Sequence, residues 1–316
     1  MHRMRVCAGW VAGLVVAAAL PAHAGGAAGL AWEKAEGRLA LMSGGKTVWA
    51  FNYGPDATKP HFHPLTLQGG SPMTWDRPAD HPWHRGLWFS WKLINKLNYW
   101  EEDRATGKPA GLTSWSHVAV EARPDFSARI AMDLAYAPPG QTPVLTERRV
   151  IDVTPPAADG SYAIEWEGVF TAGASAAVLE ATPVDPARKA GGYGGLLWRV
   201  AAELKDWEAA SDSGRKGLAA HGEPARALDF GGMLDGRPAG IAIFDHAGNP
   251  GHPTPWFLRL DPAKTYGLHG PGILFNGPVT VAAGASMPLR YRVVVHPGRW
   301  SAKDLAERCA APAQTP

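Results

Sequence analysis

The sequence predicts an all-β protein built as one large antiparallel β-sandwich. The 316 residues include 37 glycines, 28 prolines and 14 tryptophans, a composition typical of aromatic strands joined by tight turns. Short segments that alternate apolar and polar residues recur along most of the chain. Helical periodicity is confined to two short stretches. We therefore expect a jelly roll or a galactose-mutarotase-like supersandwich with few short helices.

The strands are expected mostly as hairpins, because turns rich in Gly, Pro, Asp or Ser separate neighbouring segments. The predicted strands are residues 38–42, 47–51, 87–91, 118–122, 128–136, 144–153, 162–170, 241–244 and 289–295. The predicted helices are residues 204–210 and 302–310, the second with Ser301 as N-cap and Asp304 in its first turn.

No stretch of the chain has the composition of an interdomain linker. Residues 171–194 are rich in Ala, Gly and Pro, and we expect them to form a long functional loop. The prediction is a single β-sandwich domain over residues 25–300. A short C-terminal helix and a disordered tail are expected over residues 301–316.

The first 24 residues have the layout of a secretory signal peptide. Arg3 and Arg5 precede an apolar run over residues 6–20, and small residues lie at Ala22 and Ala24. The run is short for a membrane span, although a retained anchor is the alternative. We expect cleavage after Ala24, no membrane span thereafter, and a periplasmic or secreted protein.

Charge and cysteine content narrow the classes of function. Removing residues 1–24 lowers the Lys and Arg count from 31 to 29, equal to the 29 acidic residues. A formally neutral chain without a basic patch is not expected to bind nucleic acid. Cys309 is then the only cysteine, so no intramolecular disulfide can form and an ordinary apolar core must hold the fold.

Residues 80–91 read Asp-His-Pro-Trp-His-Arg-Gly-Leu-Trp-Phe-Ser-Trp and concentrate the reactive side chains of the chain. Imidazole suits proton transfer near neutral pH, and aromatic walls with a few convergent polar groups are typical of binding sites. We expect His81 or His84 to act as general acid or base, oriented by Asp80. Arg85 is expected to bind an oxygen-rich group such as a sugar carboxylate, or else to pair with Asp80. The alternative is that the tryptophans fill a core and the histidines lie on loops.

A second pair of histidines, His61 and His63, lies upstream. In an extended strand both side chains point to one face, an arrangement that can supply two metal ligands. No cofactor is predicted firmly. A divalent metal held by some of His63, His81, His84 and His252 is an open alternative, and His63 is otherwise expected to bind substrate.

Other segments could complete a site. Glu101 follows two aromatic residues, and burial there would raise its pKa into the range useful for catalysis, although a solvated turn is the alternative. Residues 249–256 read Asn-Pro-Gly-His-Pro-Thr-Pro-Trp, a rigid loop that could form a site wall. The substrate-binding residues expected here and elsewhere are Trp88, Trp91, Tyr193, Asn249, His252 and Trp256.

Several motifs together resemble those of a secreted bacterial family known as PmoA-like. They are His-Pro-Leu at residues 63–65, Asp-His-Pro-Trp-His-Arg-Gly at 80–86, Tyr-Trp-Glu at 99–101, Tyr-Gly-Gly-Leu at 193–196 and the proline-rich loop at 249–256. The resemblance covers roughly residues 32–297. It implies a large β-sandwich of unknown function connected with carbohydrate metabolism. It does not imply a methane monooxygenase subunit, since those proteins cross the membrane several times.

The leading hypothesis is a carbohydrate-active enzyme that carries out hydrolysis, elimination or epimerisation on a glycoside or sugar derivative. All three reactions need paired proton transfer. The main alternative is a non-catalytic glycan-binding module, and another is a structural envelope protein. The chain lacks the serine-hydrolase elbow, the phosphate-binding loop, the dinucleotide fingerprint and the zinc-protease motif.

Overall fold

The computed structural model describes residues 29–185, 187, 191–261, 263 and 266–310. The predicted signal peptide, residues 1–24, and the predicted tail beyond residue 310 lie outside the described residues. None of the helices in the described part of the chain has the length and apolarity needed to cross a membrane.

The described residues form twenty strands and one α-helix. The strands of the first half are β1 (Leu30–Ala35), β2 (Arg38–Ser43), β3 (Lys46–Asn52), β4 (His61–Leu65), β5 (Leu87–Ser90), β6 (Leu93–Ile94), β7 (Leu97–Asn98), β8 (Leu112–Ala122), β9 (Ala128–Ala137) and β10 (Leu145–Val153). The rest are β11 (Tyr162–Ala172), β12 (Ala177–Glu180), β13 (Gly195–Arg199), β14 (Lys205–Ser211), β15 (Ala227–Leu234), β16 (Arg237–Asp245), β17 (Trp256–Asp261), β18 (Tyr266–Pro271), β19 (Val279–Val281), β20 (Ser286–Pro297) and the helix α1 (Ala302–Ala310).

Two eight-stranded antiparallel sheets face each other. The first has the order β1-β2-β3-β4-β5-β13-β18-β17, and the second has the order β14-β15-β16-β20-β11-β10-β9-β8. A small third sheet, β19-β12-β6-β7, lies beside them. Side chains of the two large sheets meet in one apolar core, where Phe62 packs 6.3 Å from Trp166 and Phe89 packs 5.1 Å from Phe170. The predicted all-β antiparallel sandwich is confirmed.

The hairpins form where the turn residues predict them. Strands β2 and β3 pair across the Ser-Gly-Gly-Lys segment, β8 pairs with β9, and β10 pairs with β11 in continuous register. Burial alternates along β9, β10 and β11, as expected for strands with one face on a core.

Two predictions about local structure are wrong. A helix was predicted over residues 204–210, but residues 205–211 form strand β14, because pairing with β15 buries Ala209 and Ala210 and outweighs their local helix propensity. Residues 171–194 are not one continuous loop: β11 extends to Ala172, and β12 joins the third sheet by pairing with β6 and β19.

The C-terminal helix forms where it is predicted. The Ser301 backbone N–H and hydroxyl both donate to the Asp304 carboxylate, at 2.7 and 2.6 Å, and the Asp304 backbone N–H lies 3.3 Å from the Ser301 hydroxyl. This reciprocal cap satisfies backbone donors that the first turn would leave free. Leu305 is fully buried and anchors the helix against β15 and β16 through Ala227 and Ala242.

One ion pair lies inside the apolar core. Glu147 and Arg149 are neighbours on the inner face of β10, with Nε to Oε1 at 2.6 Å and Nη2 to Oε2 at 2.8 Å. The hydroxyl of Tyr136 donates to the same carboxylate at 2.5 Å, and the guanidinium lies over the Trp166 ring. Both charged side chains are almost fully buried, so each depends on the other for compensation.

Candidate functional site

The candidate site is on the outer face of the first sheet, away from the main core. In β5, Leu87 and Phe89 point into the core, and Trp88 points outward, where it pairs across the sheet with His61 and Leu197. A separate aromatic cluster forms on this face, which we call the outer-face cluster. Its buried members are Trp88, Trp100, Leu197, Phe257 and Leu268, with Trp83, Tyr193 and Tyr266 partly buried around them.

A short loop lies over this cluster. Residues 77–84, named the cap loop here, are closed at their base by a backbone bridge between Asp76 and Arg85. The Arg77 N–H also donates to the His84 carbonyl at 2.9 Å. Gly86 then returns the chain to β5 with a φ of 44°, and a Cβ there would lie 2.3 Å from the Phe62 carbonyl oxygen. Only glycine fits at that position, so the end of the motif is fixed by backbone geometry.

The cap loop brings His81 and His84 together. Their imidazole rings stack with centroids 4.7 Å apart and planes 18° from parallel, and we call them the histidine pair. Trp88 packs beneath His84 at 5.3 Å, and Tyr266 meets the edge of His81 at 5.0 Å. His84 is 2% exposed, and its buried Nδ1 has no hydrogen-bond partner among the described residues. The cap loop thus places two imidazoles on an aromatic floor.

The protein environment keeps His84 neutral. Burial lowers the pKa of His84 well below its usual value, and positive charge on His81, Arg199, Lys59 and Arg85 would lower it further. Desolvation penalises the charged imidazolium, and nearby cations add repulsion. His84 is therefore neutral at neutral pH, and one of its ring nitrogens carries a lone pair.

Asp80 links the histidine pair to the sheet. Its Oδ2 lies 3.0 Å from His81 Nδ1, and both carboxylate oxygens accept from Arg199 Nη2, at 3.1 and 2.9 Å. Burial raises the pKa of Asp80, but the His81 imidazole and the Arg199 guanidinium outweigh it and hold the pKa below its usual value. The Arg199 guanidinium in turn lies 4.0 Å from the Tyr266 ring centroid and 5.3 Å from that of Trp75. The structure places Asp80 where it could orient His81, and its catalytic role stays a prediction.

Sequence reasoning missed four residues at this site. Arg199 and Tyr266 contact the motif from β13 and β18, and Trp83 and Trp100 complete the aromatic surroundings of the histidine pair. One signal was available: Arg199 ends an otherwise apolar run in β13, and a charge there has to face a partner. The pairing of distant strands that brings Tyr266 to His81 leaves no trace in local sequence.

Arg85 forms a buried ion pair with Glu102, which corrects its expected role in binding substrate. It is fully buried and pairs with Glu102 at 2.7 Å, with Asp76 3.9 Å away, instead of with Asp80 or an open site. Lys59 adds a second cation at 3.1 Å from Glu102. Burial lowers the pKa of Lys59 to about 8, against the opposing effect of Glu102. This buried network braces the base of the cap loop and leaves Arg85 without a free face for substrate.

Glu101 also differs from its expected role. Its carboxylate accepts hydrogen bonds from Lys92, Asn98 and the Tyr193 hydroxyl, the last at 3.2 Å. Burial raises the pKa of Glu101, but these three donors outweigh burial and hold it below its usual value. The prediction of a raised pKa is wrong. Tyr193 packs on Trp100, so Glu101 borders the outer-face cluster without contacting the histidine pair.

The three tryptophans expected to bind substrate, Trp88, Trp91 and Trp256, are all fully buried. Trp91 points into the main core and packs on Phe170 at 5.1 Å. Trp256 is also in that core, and its indole N–H donates to the Ala225 carbonyl at 2.9 Å. Trp88 lies at the site but beneath His84. The partly exposed aromatic surfaces at the histidine pair belong to Trp83 and Tyr266 instead.

Comparison with known proteins assigns the chain to a family. The model of the family of unknown function DUF6807 matches residues 38–310. The chain belongs to DUF6807. No curated protein matches it.

Two solved structures have a weak likeness to this DUF6807 protein. One is a "putative aldose 1-epimerase" from Klebsiella pneumoniae subsp. pneumoniae, with 11% identity and a TM-score of 0.44, covering 86% of this chain and 83% of that chain. The other is the Slr1438 protein from Synechocystis sp. PCC 6803, with 10% identity and a TM-score of 0.37, covering 84% and 95%. Both similarities are too low to assign a function.

In this DUF6807 protein the proline-rich loop lies away from the histidine pair. The loop precedes Trp256, which pairs with Pro271 at one end of the β17–β18 hairpin, whereas His81 contacts Tyr266 at the other end. Five residues of strand separate the two ends by roughly 17 Å. His252 therefore does not contribute to this site.

His252 and Asn249 instead surround one buried carboxylate. Asp245 accepts from His252 Nδ1 at 2.9 Å, from Asn249 Nδ2 at 2.7 Å, and from the backbone N–H and hydroxyl of Thr254 at 3.0 and 2.7 Å. Asn249 Nδ2 also donates to the Arg290 carbonyl. These bonds hold the proline-rich loop rigid, which accounts for its residue types without a substrate.

The upstream histidines of the DUF6807 chain lie on β4, at the side of the site. His61 Nδ1 donates to the Lys59 carbonyl at 2.8 Å, and burial lowers the pKa of His61 to about 4. His63 Nδ1 lies 2.9 Å from the Thr74 hydroxyl, and burial lowers the pKa of His63 too. Within the described residues no three His, Cys, Asp or Glu side chains converge as metal ligands. The set of His63, His81, His84 and His252 does not come together, since His252 lies at the opposite end of the hairpin.

Two of the cavities among the described residues of the DUF6807 protein lie apart from these histidines. One is lined by Lys46, Thr66, Ser71 and Asp235 among others, and the other by Glu208, Lys216, Asp229 and Trp300 among others. Neither is lined by a residue of the cap loop. At the histidine pair itself His84 is buried, and His81 and Asp80 are the accessible side chains.

Proposed function

We propose that this chain is a carbohydrate-active enzyme that uses the histidine pair for acid–base chemistry on a glycoside or sugar derivative. The stacked imidazoles of His81 and His84 carry the proposal. Two imidazolium ions 4.7 Å apart would repel each other, so the pair holds one proton more readily than two. One acid beside one base is what paired proton transfer needs.

The surroundings suggest which ring has which role. His84 is buried and neutral, which suits the base. His81 is more exposed and has the Asp80 carboxylate 3.0 Å from Nδ1, so its position on the solvent side of the pair suits the acid. Asp80 stays ionised beside Arg199 and orients His81. The pair could serve hydrolysis, elimination or epimerisation, since each moves one proton onto and one proton off the substrate.

The partly exposed aromatics support a sugar as the substrate. Trp83 and Tyr266 border the histidine pair and offer apolar ring faces next to polar groups. Sugar rings present an apolar face and a rim of hydroxyl groups, so an aromatic wall beside imidazoles and a guanidinium is complementary to them. The resemblance to the PmoA-like family points to the same substrate class.

Location and cofactor are part of the proposal. The signal peptide predicted over residues 1–24 supports a periplasmic or secreted protein, and its removal would be seen as an N-terminus at Gly25 in material from the native host.

A divalent metal bound by some of the histidines would supply Lewis acidity. Elemental analysis of the purified wild type and of His84→Ala tests whether a metal is bound. A stoichiometric metal in the wild type that is lost in the variant would establish the site.

The experiment is a turnover screen with three readouts for the three reactions. Nitrophenyl glycosides report hydrolysis, absorbance of the unsaturated product reports elimination from uronate oligosaccharides, and polarimetry of freshly dissolved aldoses reports epimerisation at the anomeric carbon. The proposal requires turnover in one readout that His84→Gln abolishes. Sugar binding without turnover in any readout would instead establish the glycan-binding alternative, and neither binding nor turnover would refute both.

A further inference from the structure

The guanidinium of Arg199 is buried and only partly satisfied. Arg199 is 1% exposed, and its Nε and Nη1 have no hydrogen-bond partner among the described residues. Nη2 donates to the Asp80 carboxylate, and Tyr266 also interacts with the guanidinium. Buried donors without acceptors are costly, and natural proteins rarely keep them without a purpose such as a ligand or an ordered water.

Among the described residues, the partner of Arg199 is more exposed than the main partners of the other buried arginines. Asp80 belongs to the cap loop and its side chain is 42% exposed, whereas Glu102 and Glu147, the partners of Arg85 and Arg149, are almost fully buried. A structural counter-ion is normally buried with its cation. The partly exposed Asp80 carboxylate thus contacts the buried Arg199 guanidinium from the solvent side.

The remaining contacts hold Arg199 in place independently of Asp80. The Tyr266 ring lies 4.0 Å from the guanidinium carbon and the Trp75 ring lies 5.3 Å away. Such stacking fixes the guanidinium plane, and a planar guanidinium is well matched to a carboxylate. His81 and His84 are immediate neighbours through Asp80 and Tyr266. Removal of Asp80 from Arg199 would therefore leave a preformed anion site directly beside the histidine pair.

We infer that Asp80 occupies the place of a substrate carboxylate on Arg199, so that the site takes a sugar acid. The sugar acid is either a free uronic acid or a uronate unit of a glycan. Its carboxylate would displace that of Asp80 as the cap loop moves, and would place the sugar ring against Tyr266 and the histidine pair. The backbone bonds within residues 77–84 and the bridge at Asp76 and Arg85 would keep the cap loop folded as it moves. This inference rests on the proposed function, because it names the substrate class of the same site.

Calorimetric binding tests the inference with four probes: D-galacturonate, its trimer, D-galactose and acetate. The wild type should bind a galacturonate probe about tenfold more tightly than galactose, the order expected of one charge-assisted contact. Asp80→Asn should tighten galacturonate binding severalfold, because a neutral amide competes less well for Arg199, and should raise the ratio of galacturonate affinity to galactose affinity. Tighter binding of the trimer than of the monomer would identify a glycan, and the reverse a free uronic acid.

The control is Asp152→Asn, which removes a carboxylate paired with Arg129 on the second sheet, 3.0 Å away, and should behave as the wild type. Arg199→Gln should abolish the preference for galacturonate, and its fold is checked by circular dichroism. If it does not fold, Asp80→Asn alone decides. Equal binding of galactose and galacturonate, unchanged in Asp80→Asn, would overturn the inference while leaving the proposed function intact. Acetate binding without sugar binding would keep the anion site and refute the carbohydrate function, and no binding of any probe would refute both.

Discussion

The imidazole of His84 lies parallel to that of His81, 4.7 Å away, with one ring buried on tryptophan and the other facing a carboxylate. Two identical side chains thus have opposite electrostatic surroundings. Burial works against a proton on His84, whereas His81 lies beside the Asp80 carboxylate. Such a difference between neighbours is how proteins assign base and acid within a pair.

Removing the proposed base should abolish turnover with little effect on folding. We expect His84→Gln to lower kcat by about 10²–10⁴, the usual contribution of general acid–base catalysis. Steady-state kinetics on the substrate found in the screen measure this. The control is His117→Gln, since His117 is an exposed histidine paired with Asp133 on the second sheet. A similar loss in both variants would argue against a specific role for His84.

Stability should fall as the pH drops below about 6.5. Burial lowers the folded-state pKa of His84, of His61 to about 4 and of His269 to about 3. Unfolded chains take up protons near pH 6.5 that these folded sites refuse, so stability decreases from about pH 6.5 down to about pH 4, the folded value of His61. Urea unfolding at pH 7 and pH 4.5 measures the difference.

His269→Leu tests the cause of that pH dependence. His269 is fully buried against Phe230 and Trp198, and leucine there cannot take up a proton in either state. The loss of stability between pH 7 and pH 4.5 should be smaller in the variant, whatever its stability at pH 7. An unchanged difference would show that buried His269 does not contribute.

Breaking the core ion pair should destabilise the fold strongly. We expect Glu147→Gln to lower the free energy of unfolding by about 3–5 kcal/mol, because it leaves Arg149 charged and uncompensated among aromatic residues. The control is Glu167→Gln, which breaks an exposed pair with Arg290 and should cost about 0–1 kcal/mol. Replacing both core residues, as Glu147→Leu with Arg149→Met, should cost less than Glu147→Gln alone. Equal losses at positions 147 and 167 would contradict the burial argument.

Substitutions of aromatic residues at the site should affect sugar binding, whereas substitutions of aromatic residues in the core should affect stability. Trp83 is partly exposed and meets His81 at 5.3 Å, so Trp83→Ala should weaken sugar binding with little change in Tm. Trp91 packs in the main core, so Trp91→Ala should cost about 3–5 kcal/mol of stability. Calorimetric binding together with thermal unfolding distinguishes the two. A sugar affinity insensitive to Trp83→Ala would remove this ring from the site.

Local sequence was sufficient to predict the fold class and to locate the motif. It gave wrong predictions where pairing with a strand distant in sequence determines the structure. The Ser-Gly-Gly-Lys turn predicts the β2–β3 hairpin because turn chemistry is local. Asp80, His81 and His84 lie within five residues, so one loop could bring them together. Strand β14 was predicted to be a helix because its alanines favour helix, and only pairing with β15 overrides that preference.

The errors at the site have the same origin. Arg85 was expected at the substrate, but Glu102, 17 positions away, binds it, and Arg199, 119 positions from Asp80, takes the place beside the carboxylate. Trp91 and Trp256 look identical in sequence to the site tryptophans, and the sheet face that each one occupies decides its role. His252 lies in a loop whose residue types suggested a binding site. In the structure its imidazole binds Asp245 instead.

Carbon-13 spectra of histidine-labelled protein test the central claim most directly. The imidazole C2–H signals of His81 and His84, assigned by single substitution, are followed as D-galacturonate and D-galactose are added. We expect both signals to shift in a saturable way with at least one of the sugars, while the exposed His117 and the buried His296 on the second sheet stay unchanged. Saturable shifts confined to histidines away from the pair, or no shifts with either sugar, would contradict a carbohydrate site at His81 and His84.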